Sequence, residues 1–166
     1  LIETERLLLR EFTLDDAEVY LTLCSHPLIT RHVGGPAMTT LDEARASLLE
    51  RPIADYRKHG YGRLACVLKS TGAVIGFAGL KYLDDLCDVD IGYRYLPEYW
   101  GKGLATEAGG PLIEYGFKQL QLPRILGLVD LDNIASARVL EKLGLTFVEM
   151  IEYFDSQVAK YAIVRA

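Results

Sequence analysis

The segment Tyr99-Trp100-Gly101-Lys102-Gly103-Leu104-Ala105-Thr106-Glu107-Ala108 joins two glycines and a lysine to the opening of a helical pattern. Before it, Val89-Asp90-Ile91-Gly92-Tyr93-Arg94-Tyr95 alternates in the manner of a half-buried strand. After it, Ala105, Ala108, Leu112, Gly116 and Leu120 recur at helical spacing. The order strand, glycine loop, helix start has a chemical consequence. A helix start offers unpaired N–H groups and the positive end of the helix dipole, and both favour a phosphate. Glycines at 101 and 103 remove the Cβ atoms that would hold a pyrophosphate away from those donors. The structural alternative is that the glycines merely make the turn.

Two other phosphate loops are excluded. No G-x-x-x-x-G-K-[ST] run exists in the chain. A dinucleotide fingerprint beginning at Gly101 and Gly103 meets Thr106 at its third glycine, although Asp130 after Ile125–Val129 is placed for a ribose. The elements upstream decide against it. Leu64–Lys69, Val74–Lys81 and Asp88–Leu96 follow one another as strands with short turns at Ser70-Thr71-Gly72 and Asp84-Asp85, an antiparallel meander. A doubly wound fold would alternate strands with helices there.

The remaining elements must position the loop. Arg6–Phe12 reads as a first strand, followed by Thr13 as an N-cap with Asp16 at N3 and a helix to about Cys24. Thr40-Leu41-Asp42-Glu43 opens a helix toward His59, which Pro52 must kink or split and Gly60 or Gly62 ends. A helix from Leu104 to about Gln121 follows the loop, with a kink or break expected near Glu107–Gly110 because Pro111 cannot donate to Glu107. A strand at Arg124–Val129, a helix at about Ile134–Leu143, and strands at Thr146–Phe154 and Val158–Val164 complete the chain. The expectation is an α/β domain over residues 1–166, its sheet mostly antiparallel with one parallel crossover pair.

Composition narrows the partners. Half of the 166 residues are apolar and a quarter charged, as in soluble globular proteins. A net charge of −5 argues against phosphate-backbone binding to nucleic acid and is compatible with a cationic or amine partner. No apolar run has membrane-spanning length, and no basic-then-apolar segment opens the sequence, so a cytoplasmic protein is expected. Cys24, Cys66 and Cys87 form no C-x-x-C pair and are expected to be reduced thiols. Cys24 lies near His26, but His32 and His59 complete no ligand spacing, so no metal is expected.

A second constellation lies after the Arg124–Val129 strand. In Asp132-Asn133-Ile134-Ala135-Ser136-Ala137-Arg138-Val139-Leu140-Glu141-Lys142-Leu143-Gly144-Leu145, Asn133 is placed as an N-cap and Gly144 as a helix stop. Capping suffices to explain Asn133; the functional alternative is an amide offered at the carboxyl edge of the sheet, where ligands of such sheets bind.

Together the two constellations resemble the GNAT superfamily of acetyl-CoA-dependent N-acetyltransferases. Trp100 to Ala105 is similar to the family loop Q/R-x-x-G-x-G/A at Gly103 and Ala105, with Trp100 in place of Gln or Arg. Asn133-x-x-Ser136 and Glu141-Lys142-Leu143-Gly144-Leu145 are similar to its later motif, N-x-x-[AS]…E-K-x-G-F, with Leu145 in place of Phe. Glu3-Thr4-Glu5-Arg6-Leu7-Leu8-Leu9-Arg10, Ile91-Gly92-Tyr93 and Tyr99–Gly103 resemble the Rim-type ribosomal-protein N-terminal acetyltransferases. The likeness covers almost the whole chain.

The resemblance implies a splayed pair of parallel strands holding the pantetheine arm of acetyl-CoA. The backbones of Tyr93, Arg94 and Tyr95 would bind the arm, and one N–H near Arg94 or Tyr95 would hold the thioester oxygen. Gly101, Lys102, Gly103, Leu104, Ala105 and Thr106 would hold the pyrophosphate, and Asn133 and Ser136 would line the cofactor site. It implies direct acetyl transfer to a primary amine, without metal or protein nucleophile, by a monomer or homodimer. A protein N-terminal amine is the favoured acceptor; an aminoglycoside or polyamine acceptor, or a non-catalytic acyl-CoA-binding domain, are the alternatives.

Two family positions depart from the pattern. Leu140 stands where many members have a Tyr acid, and Leu128 where some have a Glu base. The base candidate left is Asp90, on the strand face it shares with Gly92 and Arg94. Its alternatives are an ion pair with Arg94 or a solvated charge. Asp84, Asp85 and Asp88 could attract an amine, though hairpin turns carry such residues anyway.

Overall fold

The computed structural model describes residues 1–31 and 37–166; His32 lies outside the described residues. Leu7 and Leu9 are completely buried while Leu8 and Arg10 are half-buried, so the alternation makes β2 (Leu7–Arg10) a strand with one face in the core. A two-residue strand, β1 (Ile2–Glu3), pairs with it and had no separate signal in the sequence. The meander follows as β3 (Arg63–Leu68), β4 (Val74–Leu83) and β5 (Asp88–Tyr95), all antiparallel. β4 is buried on both faces from Ile75 to Leu80, so helices must cover the sheet on either side.

One cover is α5 (Leu104–Lys118) with α6 (Ile134–Lys142). Their core includes Leu104, Ala108, Leu112 and Leu140, packed with Leu7, Leu80 and Ile91 of the sheet. The other cover is α1 (Ala17–Ser25), α2 (Pro27–Thr30), α3 (Leu41–Leu48) and α4 (Ala54–His59), with Tyr20, Leu23 and Leu48 packed on Phe77 and Ala65. Thr13 and Asp16 form the expected capping box just before α1. Pro52 does divide the second expected helix: a π turn at Leu49–Ile53 separates α3 from α4, and Gly60 ends α4 at φ +82°.

Of the kink or break expected near Glu107–Gly110, the break is absent. α5 runs from Leu104 to Lys118 with Pro111 inside it. A Cβ on Gly109 would sit 2.5 Å from Leu143 Cδ1, and one on Gly116 would sit 2.9 Å from Ile125 and Leu80. Seven residues apart, these glycines share a face that lets α5 lie close on its neighbours. Packing of that face outweighs the local cost of proline, about 3 kcal/mol in a helix interior.

β6 (Arg124–Asp130), β7 (Thr146–Tyr153) and β8 (Ser156–Val164) complete an eight-stranded sheet of order β1-β2-β3-β4-β5-β6-β8-β7. Its parallel pair, β5 with β6, is joined at one register position, Asp90 opposite Leu126. Beyond it the strands separate, which is the expected splay.

Candidate active site

The loop leaves β5 through a single 3-10 turn at Pro97–Tyr99. Trp100, in place of the family's Gln or Arg, donates from Nε1 to the Tyr95 carbonyl at 2.7 Å and pins the loop to the strand end. Gly101 and Gly103 have φ of +73° and +77°, the left-handed region that a side chain rarely adopts. Protein crowding does not require either glycine: nothing lies within 4 Å of a Cβ on Gly101, and only Arg6 Nη2, at 3.8 Å, approaches one on Gly103. The backbone conformation and an open approach remain as reasons. Gly103 is the N-cap of α5; Leu104 is its buried anchor, with Ala105 and Thr106 half-buried behind it. The first-turn N–H groups thus face an exposed loop with Lys102 and Arg6 nearby, a cradle of the kind an anion needs.

Thr4, Arg6 and Glu107 support this loop and were missed in the sequence. Glu107 accepts from Thr4 Oγ1 at 2.6 Å, from the Arg6 N–H at 2.9 Å and from Arg6 Nε at 2.7 Å, tying the start of β2 to the first turn of α5. Partners about a hundred residues apart leave no local signal. Burial raises the Glu107 pKa, but the bonds from Thr4 and Arg6 outweigh it and the net shift is downward. The carboxylate therefore stabilises the fold above its unfolded pKa, about 4.3, and that contribution is lost as pH falls through the lowered folded value. Glu107→Ala is expected to cost about 2 kcal/mol near neutral pH. Urea unfolding of both proteins should show the difference shrinking toward pH 3; a constant difference would contradict this account.

The splay is bridged by side chains. Tyr93 Oη donates to Ser136 Oγ at 3.0 Å, joining β5 to the first turn of α6. Burial raises the Tyr93 pKa against the opposing pull of that bond. Asn133 acts as the N-cap, its Oδ1 accepting from the Ser136 N–H at 3.2 Å. Tyr95 is buried, its hydroxyl near Cys66 and the Leu104 carbonyl. Leu140 is buried against Gly127, where a Cβ would come within 2.6 Å of it, so neither it nor the half-buried Leu128 brings a polar group.

Asp90 has a different partner from the one considered in the sequence. Its Oδ1 pairs with Arg63 Nη2 at 2.9 Å, not with Arg94. Arg63 also donates to the Gly79 carbonyl at 2.6 Å and lies over Gly92, where a Cβ would be 2.5 Å from Nη2. The room at Gly92 is thus taken by Arg63 rather than left for a ligand. Arg94 turns to the helical cover of α1, with its guanidinium carbon 5.4 Å from the Phe77 ring centroid. Lys81, opposite Asp90 in the register, pairs with Asp55 at 2.7 Å.

The thiols and His26 have structural surroundings. His26 Nδ1 accepts from the Leu28 N–H and caps α2; burial pushes the Cys66 thiol up to about 12 and raises Cys24 as well. Among the described residues no group of three or more His, Cys, Asp or Glu could hold a metal ion.

One cleft of about 1020 Å³ connects these parts. It runs from Gly101–Thr106 past Tyr93, Ser136 and Asn133 to Asp90 and Arg63, then on to Arg94, Tyr20 and Ile29 under α1 and α2. A helix-start anion cradle at one end, a gap between parallel strands and a carboxylate beyond it suit a long phosphorylated molecule meeting a second reactant. Known proteins resemble this chain over most of its length. A family model described as an acetyltransferase (GNAT) domain matches residues 6–146. The uncharacterised N-acetyltransferase p20 of Bacillus licheniformis is 36% identical over 143 residues, covering 85% of this chain and 79% of that protein. A solved acetyltransferase from Agrobacterium tumefaciens is 27% identical with a TM-score of 0.85, covering 99% of this chain and 94% of that one.

The chain therefore belongs to the GNAT family and is an acetyltransferase. Its fold is shared more widely. The ribosomal-protein-S5-alanine acetyltransferase from Vibrio fischeri superposes with a TM-score of 0.79 at 20% identity, covering 99% of this chain and 96% of that one. The aminoglycoside acetyltransferase AAC(6')-Ib, solved with coenzyme A, does so at 0.78 and 19%, covering 96% and 95%.

Proposed function

We propose that this chain transfers acetyl from acetyl-CoA directly to a primary amine, with a protein N-terminal amine as the favoured acceptor. The continuous cleft carries the reading, because it leads from the left-handed glycines at the start of α5 through the splayed strands to Asp90. The preference for a protein N-terminus is supported by the likeness of Glu3–Arg10 and Tyr99–Gly103 to the Rim-type branch.

Acetyl-CoA supplies an activated thioester. The N–H groups from Gly103 to Thr106, with Lys102, hold the pyrophosphate, and the Tyr93–Tyr95 backbone holds the pantetheine arm. The Tyr95 carbonyl is already engaged by Trp100, so this strand end contributes donors rather than that acceptor. An N–H near Arg94 or Tyr95 steadies the thioester oxygen. Asp90 accepts the amine's proton directly or through water. The linked hydroxyls of Tyr93 and Ser136, which join β5 to the first turn of α6, hand a proton to the departing thiolate, replacing the absent phenol at Leu140.

Ligand linkage tests the cofactor. Acetyl-CoA at about 100 times its dissociation constant is expected to stabilise by about 2.7 kcal/mol, a rise in Tm of roughly 5–10 °C. NAD and ATP, which lack the pantetheine arm, should do much less. Strong stabilisation by NAD without any by CoA would defeat the assignment. Release of free thiol, screened over peptides, polyamines and aminoglycosides, then tests the acceptor; binding without turnover would mark a non-catalytic domain.

A further inference from the structure

The cleft does not end at Asp90. Strand alternation puts Tyr93 and Tyr95 on the side of α5 and α6 and Arg94 on the side of α1. Beyond the splay the walls are apolar at Ile29 and Phe77 and otherwise rich in arginine. Arg94 is half-buried, lies over Phe77, and donates to the Leu23 carbonyl through a long bond of 3.4 Å. No carboxylate among the described residues pairs with it, and residues 32–36 contain no Asp or Glu. A guanidinium has five donors, so most of the hydrogen-bonding capacity of Arg94 is unspent among the described residues.

Arg51 converges on the same place. Burial raises the pKa of Tyr20 and of Cys24, and among the opposing influences on both are the charges of Arg94 and Arg51. Arg31 also lines this end, and neither Arg31 nor Arg51 has a carboxylate partner among the described residues. Of the acids that line the cleft, Asp90 is paired with Arg63 and Asp55 with Lys81, while Asp130 and Asp132 line it from the other strand, at the end of β6 and just before α6. A chain of net charge −5 thus collects a surplus of arginine around one recess. A partly desolvated guanidinium without a carboxylate in ion-pair contact among the described residues is costly for the fold alone. Arginine forks fit a carboxylate through two parallel bonds.

We propose that this recess is an anion subsite built on Arg94, with Arg51 beside it, and that the accepted amine carries a carboxylate. The inference rests on the acetyltransfer reading and narrows its acceptor. Asp90 and Arg94 are four residues apart on one strand, about 13 Å between Cα atoms at 3.3 Å per residue. A carboxylate several bonds from the amine suits that spacing, such as an acidic side chain in the first residues of a peptide or the γ-carboxylate of free glutamate. A polyamine would meet arginines where it needs acids.

The test measures kcat/KM with acetyl-CoA and Ala-Glu-Ala-amide, Ala-Gln-Ala-amide and Ala-Lys-Ala-amide, with glutamate against glutamine and spermidine as small-molecule arms. The Glu peptide is expected to exceed the Gln peptide about 10- to 100-fold, the range of a charge-assisted pair. Preference for glutamate with no preference among peptides would assign the subsite to a small amino acid. The Glu/Gln ratio should collapse toward one in Arg94→Gln, recover partly in Arg94→Lys and fall several-fold in Arg51→Gln, whose exposed position makes it safe for folding. Calorimetric titration of the same peptides into CoA-loaded protein reads the subsite without turnover. Loss of all thiol release with the Glu-peptide preference kept in binding would defeat the catalytic reading alone. Equal binding and equal rates for Glu and Gln acceptors, or spermidine as the best acceptor, would overturn the anion subsite.

Discussion

Gly103→Val is expected to raise the dissociation constant for acetyl-CoA by roughly 100-fold or more while leaving a folded protein. Gly103 has φ of +77° and caps α5, and a β-branched residue there is strained by about 1–3 kcal/mol. The loop can relieve that strain only by turning the first N–H groups of the helix away from their present direction. Each charge-assisted bond lost to phosphate costs about 1.5–3 kcal/mol, and every 1.4 kcal/mol is a factor of ten. The new side chain has little protein to collide with, since Arg6 Nη2 at 3.8 Å is its nearest neighbour. It occupies the approach rather than the core. Calorimetric titration of acetyl-CoA, with circular dichroism to confirm folding, measures the effect. An unchanged dissociation constant in a folded variant would remove this loop from the cofactor site.

The parts of the site legible in the sequence are those whose signals are local. The glycine loop, the Asn133 cap and the meander all announce themselves within a few residues, through φ requirements, capping and period two. The splay was readable only through family likeness, because no local pattern records that β5 and β6 pair at a single position. Long-range partners were not readable. Arg63 reaches Asp90 across 27 residues and Glu107 reaches Thr4 across 103, and neither pair has a spacing that sequence can reveal. Arg94 was placed on its correct strand face by alternation, yet the same alternation suggested the wrong partner for Asp90. The helix break allowed for near Glu107–Gly110 is absent for a related reason: the local rule for breaking a helix was sound, but Leu143 packs where Gly109 leaves room. Tertiary packing decided the outcome there, as it did at Leu140 over Gly127.

Asp90→Asn is expected to lower kcat by about 10²- to 10⁴-fold, the usual loss with a general base, while CoA affinity stays nearly intact. Asp90 Oδ1 is held by Arg63, and the pair fixes the carboxylate. No buried side-chain oxygen or nitrogen among the described residues lacks a partner, so Oδ2, which has no bond to the described residues, is open to the cleft. One oxygen is therefore anchored and the other is presented, as a base requires. Asparagine keeps the shape and can still accept from Arg63 through Oδ1, but it cannot take a proton. Raising pH should partly rescue the variant, because an N-terminal amine, with an ordinary pKa near 8, then arrives already neutral. The competing account makes the pair purely structural. Asn would then leave Arg63 facing a neutral partner, and Tm would fall with turnover per folded molecule unchanged. Arg63→Lys separates the accounts further: it retains the charge but loses the donor fork over Gly92, so a positioning role predicts a fall in kcat in the otherwise native protein and no further fall when Arg63→Lys is added to Asp90→Asn. The pH profile of kcat for all three variants, the double included, measures this directly. A flat comparison with wild type at every pH would leave proton removal to water and take Asp90 out of the mechanism.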